Sequence, residues 1–115
     1  MKLVFLEDDP LFFRLLNHIL SEDPDLEVSG FQSAPKLWKA ITTPPDILVL
    51  DYSLPDTNGA EILERFQAKY QRSFVIIVSG QEDVETAVDL LNAGAHDYVV
   101  KNDHARERIL NTIQH

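Results

Sequence analysis

The chain has 115 residues, with 10 Lys+Arg against 19 Asp+Glu and a formal charge of −9. That length suits one domain with a single buried core, and 44% apolar with 25% charged residues is a globular balance, not a low-complexity, collagen-like or disordered one. The acidic excess argues against a nucleic-acid surface or an anionic membrane. The lack of cysteine excludes disulfide frameworks, thiolate metal sites and cysteine nucleophiles.

At the N-terminus, Met1-Lys2 leads into four apolar residues, Leu3 to Leu6, before Glu7, Asp8 and Asp9 interrupt. A signal peptide needs a longer apolar stretch, and no apolar run approaches membrane-spanning length. The expectation is a soluble, cytoplasmic chain of one domain over residues 1–115.

Taken in order, Leu3-Val4-Phe5-Leu6 is a first strand, unbroken in its apolar character as a strand buried on both faces must be. Leu11, Leu15, Leu16, Ile19 and Leu20 recur at helical spacing up to Pro24. Leu26, Val28 and Gly30 alternate with Glu27, Ser29 and Phe31, the pattern of a half-exposed edge strand. A short helix starts near Pro35, carries Leu37, Trp38 and Ile41, and is halted by Pro44-Pro45. Ile47 to Leu50 and Val75 to Val78 repeat the doubly buried pattern. Between them Ile62, Leu63 and Phe66 mark a helix after Gly59. Val84, Ala87, Val88 and Leu91 mark the next helix, with Gly94 as its C-terminal glycine. Tyr98-Val99-Val100 is the other edge strand, and Asp103 caps a last helix carrying Ile109, Leu110 and Ile113. Five strands alternating with five helices fit right-handed βαβ crossovers. The fold class is α/β, a doubly wound, flavodoxin-like five-stranded parallel sheet of order 2-1-3-4-5.

In such a sheet ligands bind beyond the carboxyl ends of the strands, where the strand order reverses. Strand one ends in Glu7-Asp8-Asp9, strand three in Asp51, strand four in Ser79-Gly80 and strand five at Lys101. Each has an ordinary reading when taken singly: Asp51 as a turn cap, Glu7 to Asp9 as a solvated turn, Ser79 as a helix cap, Lys101 as a surface lysine. Together they conflict, because two carboxylates ~5 Å apart at an effective dielectric of ~20 repel by roughly 3 kcal/mol. A divalent cation that prefers oxygen ligands resolves the conflict, and Mg2+ is the abundant one. A phosphoryl group on Asp51 would then meet the metal on one edge, Lys101 on another and the Ser79 hydroxyl on a third. Carboxylates are established phosphoryl acceptors, and positioning with charge neutralisation supplies most of the catalysis in such transfers.

These residues resemble the receiver domain of two-component response regulators over essentially the whole chain. The resemblance rests on Leu-Val-Phe-Leu-Glu-Asp-Asp-Pro at 3–10, Asp-Tyr-Ser-Leu-Pro-Asp-Thr-Asn-Gly at 51–59, Val-Ser-Gly at 78–80 and Gly-Ala-His-Asp-Tyr-Val-Val-Lys at 94–101. It implies that Asp51 accepts a phosphoryl group from a sensor histidine kinase or a phosphotransfer protein. It further implies that Asp8, Asp51 and the Ser53 backbone carbonyl ligate Mg2+, with Glu7 acting through water. Lys101 and Ser79 would contact the phosphoryl group, and Tyr98 would turn inward as Ser79 moves. The face made by the fourth helix, fifth strand and fifth helix would then dimerise or control an output domain or partner. The family lysine is usually followed by a proline with a cis bond. Here Asn102 follows, and a trans bond is expected because a non-proline cis bond costs ~3 kcal/mol.

Other readings fit less well. A flavin carrier on this fold needs a hydroxyl- and glycine-rich loop after strand one, where this chain has acids. A haloacid-dehalogenase-type phosphatase has an aspartate two residues after its nucleophile, where this chain has Ser53. An interaction module with a receiver fold that acts without phosphorylation is the alternative, opposed by the complete set of acids, hydroxyl and lysine. His18, His96, His104 and His115 show no metal-ligand spacing and read as surface or structural residues. Phe12 and Phe13 read as partly core and partly an exposed patch beside the acidic turn, and Trp38 as helix packing.

Overall fold

Three apolar runs form the centre of the sheet, where both faces must be covered. The computed structural model describes residues 1–52, 59–80 and 84–114. The chain runs β1 (Lys2–Leu6), α1 (Pro10–Ser21), β2 (Glu27–Phe31), α2 (Ala34–Ala40), β3 (Ile47–Asp51), α3 (Gly59–Lys69), β4 (Phe74–Ser79), α4 (Val84–Asn92), β5 (Asp97–Val100) and α5 (Ala105–Gln114). All strand pairs are parallel, and the order is β2-β1-β3-β4-β5, as expected. β1, β3 and β4 are buried almost throughout, whereas the edge strand β2 is half exposed.

Alternate residues of each strand point to opposite faces, and this divides the core in two. On one side Val4, Leu48, Leu50 and Ile77 pack against Leu37, Leu63, Phe66 and Leu90 of α2, α3 and α4. On the other, Leu3, Phe5, Val49 and Val99 pack against Leu16, Ile19, Leu20 and Ile109 of α1 and α5. Gly30 on β2 leaves room for the tilted Phe5–Phe13 ring pair, whose centroids are 4.8 Å apart; any Cβ there would strike both rings.

The helix ends follow local chemistry. The Asp9 carboxylate caps α1 by accepting the Leu11 N–H at 3.0 Å, and Pro10 occupies the first turn, where its missing N–H costs nothing. Gly94 closes α4 with φ +118°, and the Ala95 and Gly94 N–H groups donate to the Leu90 and Leu91 carbonyls, as expected of a C-terminal glycine. The last helix departs from expectation. It begins at Ala105, so Asp103 is not adjacent to it; instead the Asn102 side chain accepts the His104 N–H at 2.9 Å and the Asn102 carbonyl accepts from Ala105. Two helical faces also differ. Leu11 and Leu15 on α1 are exposed, and so are Val84, Val88 and Leu91 on α4, where Leu90 carries the packing.

Candidate functional site

The carboxyl ends of β1, β3, β4 and β5 lie side by side because the strands are parallel and in register: Leu6 pairs with Leu50, Asp51 with Val78, and Ser79 with Val100. The residues that follow each strand therefore share one rim. Glu7, Asp51 and Ser79 on it are buried, at 0%, 2% and 0% exposure. Carboxylate oxygens of Glu7, Asp8 and Asp51 all lie within 4.8 Å of one another. Lys101 enters from β5, its own N–H donating to the Ser79 carbonyl at 2.7 Å. Its ammonium is 2.8 Å from Glu7 Oε1 and 3.4 Å from Asp51 Oδ1, with the side chain 18% exposed.

The electrostatics follow from this crowding. The Asp8 carboxyl is held above its ordinary 3.8, first by the hydrogen bond it shares with Asp51, then by burial and the Asp51 charge. Burial pushes the Lys101 ammonium down, but its bond to Glu7 and the charges of Asp51 and Glu7 outweigh that, so it titrates above 10.5. Two buried carboxylates beside one lysine leave a surplus of negative charge on the rim. Hard oxygen donors clustered around that surplus fit a small divalent cation such as Mg2+, and the raised Asp8 carboxyl marks the repulsion that such a cation would relieve.

Of the residues singled out by sequence, Glu7, Asp8, Asp51, Ser79 and Lys101 converge on this rim. Tyr98 lies on β5 below it, 9% exposed and packed in the α2–α3–α4 core. Ser53 falls outside the described residues, as does His115. The Lys101–Asn102 bond is trans, as expected. Asp9 is the cap of α1, while Glu7 Oε2 accepts the Asp9 N–H at 3.1 Å and shapes the acidic turn.

Two features of the site were not read from the sequence. Glu7 grips Lys101 directly, and Phe12 lies beneath it, with the ammonium 4.8 Å from the ring centroid. The first could have been suspected, since a glutamate reaches one methylene further than the aspartates beside it. The second joins residues far apart in the chain, and no spacing signals it. His96 is structural: its Nδ1 accepts the Val75 N–H at 3.0 Å and its ring stacks on Phe74 at 4.6 Å. Trp38 packs in the α2–α3 core beside Phe66 and beneath the Arg65 guanidinium, 4.6 Å from its ring.

The profile described as "Response regulator receiver domain" matches residues 3–114. The chain is 30% identical to a protein-glutamate methylesterase/protein-glutamine glutaminase of Trichodesmium erythraeum, over 98% of this chain and 34% of that one. It thus spans about a third of such methylesterase relatives. It is likewise 30% identical to the chemotaxis protein CheY of Listeria monocytogenes, covering 93% of this chain and 91% of that one. Among solved structures it is similar to the BeF3-activated receiver domain of DrrB from Thermotoga maritima, with TM-score 0.88, 25% identity, and 98% and 93% of the two chains covered.

Proposed function

Because the chain belongs to the response regulator receiver domain family of two-component systems, we propose that it is a phosphorylation-controlled signalling switch whose acceptor is Asp51. The observation that carries this reading is the buried Asp51 carboxylate, beside Glu7 and Asp8 on one side and 3.4 Å from the Lys101 ammonium on the other. An Asp51 oxygen attacks the phosphorus of a phosphohistidine on a sensor kinase or phosphotransfer protein. The bond from phosphorus to the donor nitrogen breaks, its electron pair stays with the imidazole, and an acyl phosphate forms on Asp51. Asp8 and Asp51, with the Ser53 carbonyl and with Glu7 through water, would hold Mg2+, which neutralises phosphoryl oxygen charge when bound.

The rest is done by the chain's own groups. Lys101 supplies a fixed positive charge at the strand end, and the Ser79 hydroxyl reorients towards the phosphoryl oxygens. Tyr98, which already sits inward against the α2–α3–α4 core rather than waiting to turn in, repacks there as Ser79 moves and alters the face of α4, β5 and α5. Exposed Val84, Val88 and Leu91 on α4 supply apolar surface for a second copy, an output domain or a separate target there. In this reading the chain is a phosphoacceptor and not an enzyme on external substrates, and it forms one receiver domain over residues 1–115. It works in the cytoplasm without binding nucleic acid or membrane itself; among the described residues no helix is long and apolar enough to cross a membrane.

The test is intact mass after incubation with acetyl phosphate, with and without Mg2+, for the wild type and Asp51→Asn. One phosphoryl adduct that needs both Mg2+ and Asp51 is expected. A folded wild-type protein that binds Mg2+ and beryllofluoride yet gains no adduct has a product too short-lived to weigh. One that binds neither beryllofluoride nor phosphoryl is a phosphate-independent interaction module instead.

A further inference from the structure

Lys101 has a partner that is not a carboxylate. Its ammonium lies 4.8 Å from the centroid of the Phe12 ring, while Glu7 and Asp51 stand at 2.8 and 3.4 Å. Phe12 is half-buried in the first turn of α1 and packs against the α1–α5 core. Its place is set by the acidic turn itself: Glu7 Oε2 holds the Asp9 N–H, Asp9 caps the helix, and Pro10 fixes the entry. The turn that carries the carboxylates therefore also sets the ring that faces the lysine.

We propose that Phe12 is a positioning residue for phosphoryl transfer, holding the Lys101 ammonium against the Asp51 side of the rim through the face of its ring. This rests on the reading of Asp51 as phosphoacceptor. A lysine side chain has four rotatable carbons and a strongly hydrated tip, so without a wall it swings towards water. An aromatic face attracts the cation but takes none of its three N–H donors in an oriented hydrogen bond. The donors stay directed at oxygen: Glu7 and Asp51 before transfer, the incoming phosphoryl group during it. A carboxylate in place of Phe12 would bind the lysine more strongly and compete with that anion; an aliphatic side chain would leave the tip free to move.

The experiment compares wild type with Phe12→Tyr, Phe12→Leu and pentafluorophenylalanine incorporated at position 12. The readouts are the initial rate of acetyl phosphate labelling at saturating Mg2+, Mg2+ affinity, and the NMR shift of the Lys101 ε-methylene protons without any donor. Wild type and Phe12→Tyr should show these protons moved upfield by the ring and should label within about twofold of each other. Phe12→Leu should lose the upfield shift and label about three- to tenfold more slowly, with Mg2+ affinity unchanged. The fluorinated ring keeps the shape but reverses the sign of the ring's charge distribution, and should label as slowly as Phe12→Leu; a packing role alone predicts wild-type behaviour. Equal rates across the series, or no upfield shift in the wild type, would overturn the positioning role while leaving Asp51 as acceptor. A wild type that is never labelled overturns the phosphoacceptor reading and this inference with it.

Discussion

The two ends of the sheet use the same residue types for opposite purposes. At the amino ends of the strands, polar side chains serve backbone groups: Asp46 accepts the Lys2 N–H at 2.7 Å, Ser73 Oγ donates to the Pro45 carbonyl at 2.6 Å, and His96 accepts the Val75 N–H at 3.0 Å. Each partner is a main-chain group on or just before the neighbouring strand, and the result is strand ends closed without crowding of charge. At the carboxyl ends, Glu7, Asp8, Asp51 and Lys101 face one another. Glu7 and Asp51 are buried there, which costs free energy unless the charges are compensated. The difference teaches where function sits: an acid turned to a backbone N–H is explained by the fold, whereas acids that also face acids, as Glu7 does while accepting the Asp9 N–H, are not.

The contrast is most open to challenge at Lys101. Lys101→Met leaves Glu7 and Asp51 buried without their cation, and breaking a buried pair in this way costs about 3–5 kcal/mol. The urea midpoint should fall accordingly, and the double variant Lys101→Met/Glu7→Gln should recover most of the loss. A single variant as stable as the wild type would mean that the rim is not under charge strain. A smaller effect is expected at the other end. His96→Ala removes the acceptor of the Val75 N–H and the stack on Phe74, at a cost of about 1–3 kcal/mol for a donor left without its partner. Acetyl phosphate labelling of Asp51 should be unchanged. If labelling falls in step with stability, the two ends are not separable as drawn.

Much of this contrast is legible in the amino-acid sequence itself. The unbroken apolar runs at 3–6, 47–50 and 75–78 can be buried on both faces only in a helix-covered parallel sheet, and the strand order then brings Glu7, Asp8, Asp51, Ser79 and Lys101 to one rim. What cannot be read there depends on side-chain choice over a few ångströms. Lys101 could turn to Glu7, Asp51 or solvent, and only the packed turn decides for Glu7 with Phe12 beneath. Asp103 fails as a helix cap because Asn102, one residue earlier, offers the same kind of side-chain acceptor and takes the His104 N–H. On α4, Val84, Val88 and Leu91 share helical spacing, but spacing alone does not say which side of the helix the sheet covers. Leu90 takes that side.

The smallest expected effect is the most direct reading of the carboxylate surplus. Asp8 has its carboxyl raised above 3.8 by its shared hydrogen bond with Asp51, by burial and by the Asp51 charge. The folded protein therefore holds a proton that the unfolded chain has released, and stability falls as pH climbs from 3.8 through the raised value. Lys101 has the opposite character. Raised above 10.5, it contributes fully below that pH and loses its contribution only as pH rises through its folded value. Between the two windows the metal-free protein carries the whole repulsion. Asp8→Asn removes one charge, so the melting temperature of the variant minus that of the wild type, in EDTA, should grow as pH rises from 3.8 and then level off. Added Mg2+ should reverse the ranking at neutral pH, since a cation held by ionised carboxylates stabilises the protein that still has all of them. A variant difference that stays constant across the titration would mean that Asp8 does not share the burden of Asp51, and the rim would then be a set of separate acids, like those at the other end of the sheet.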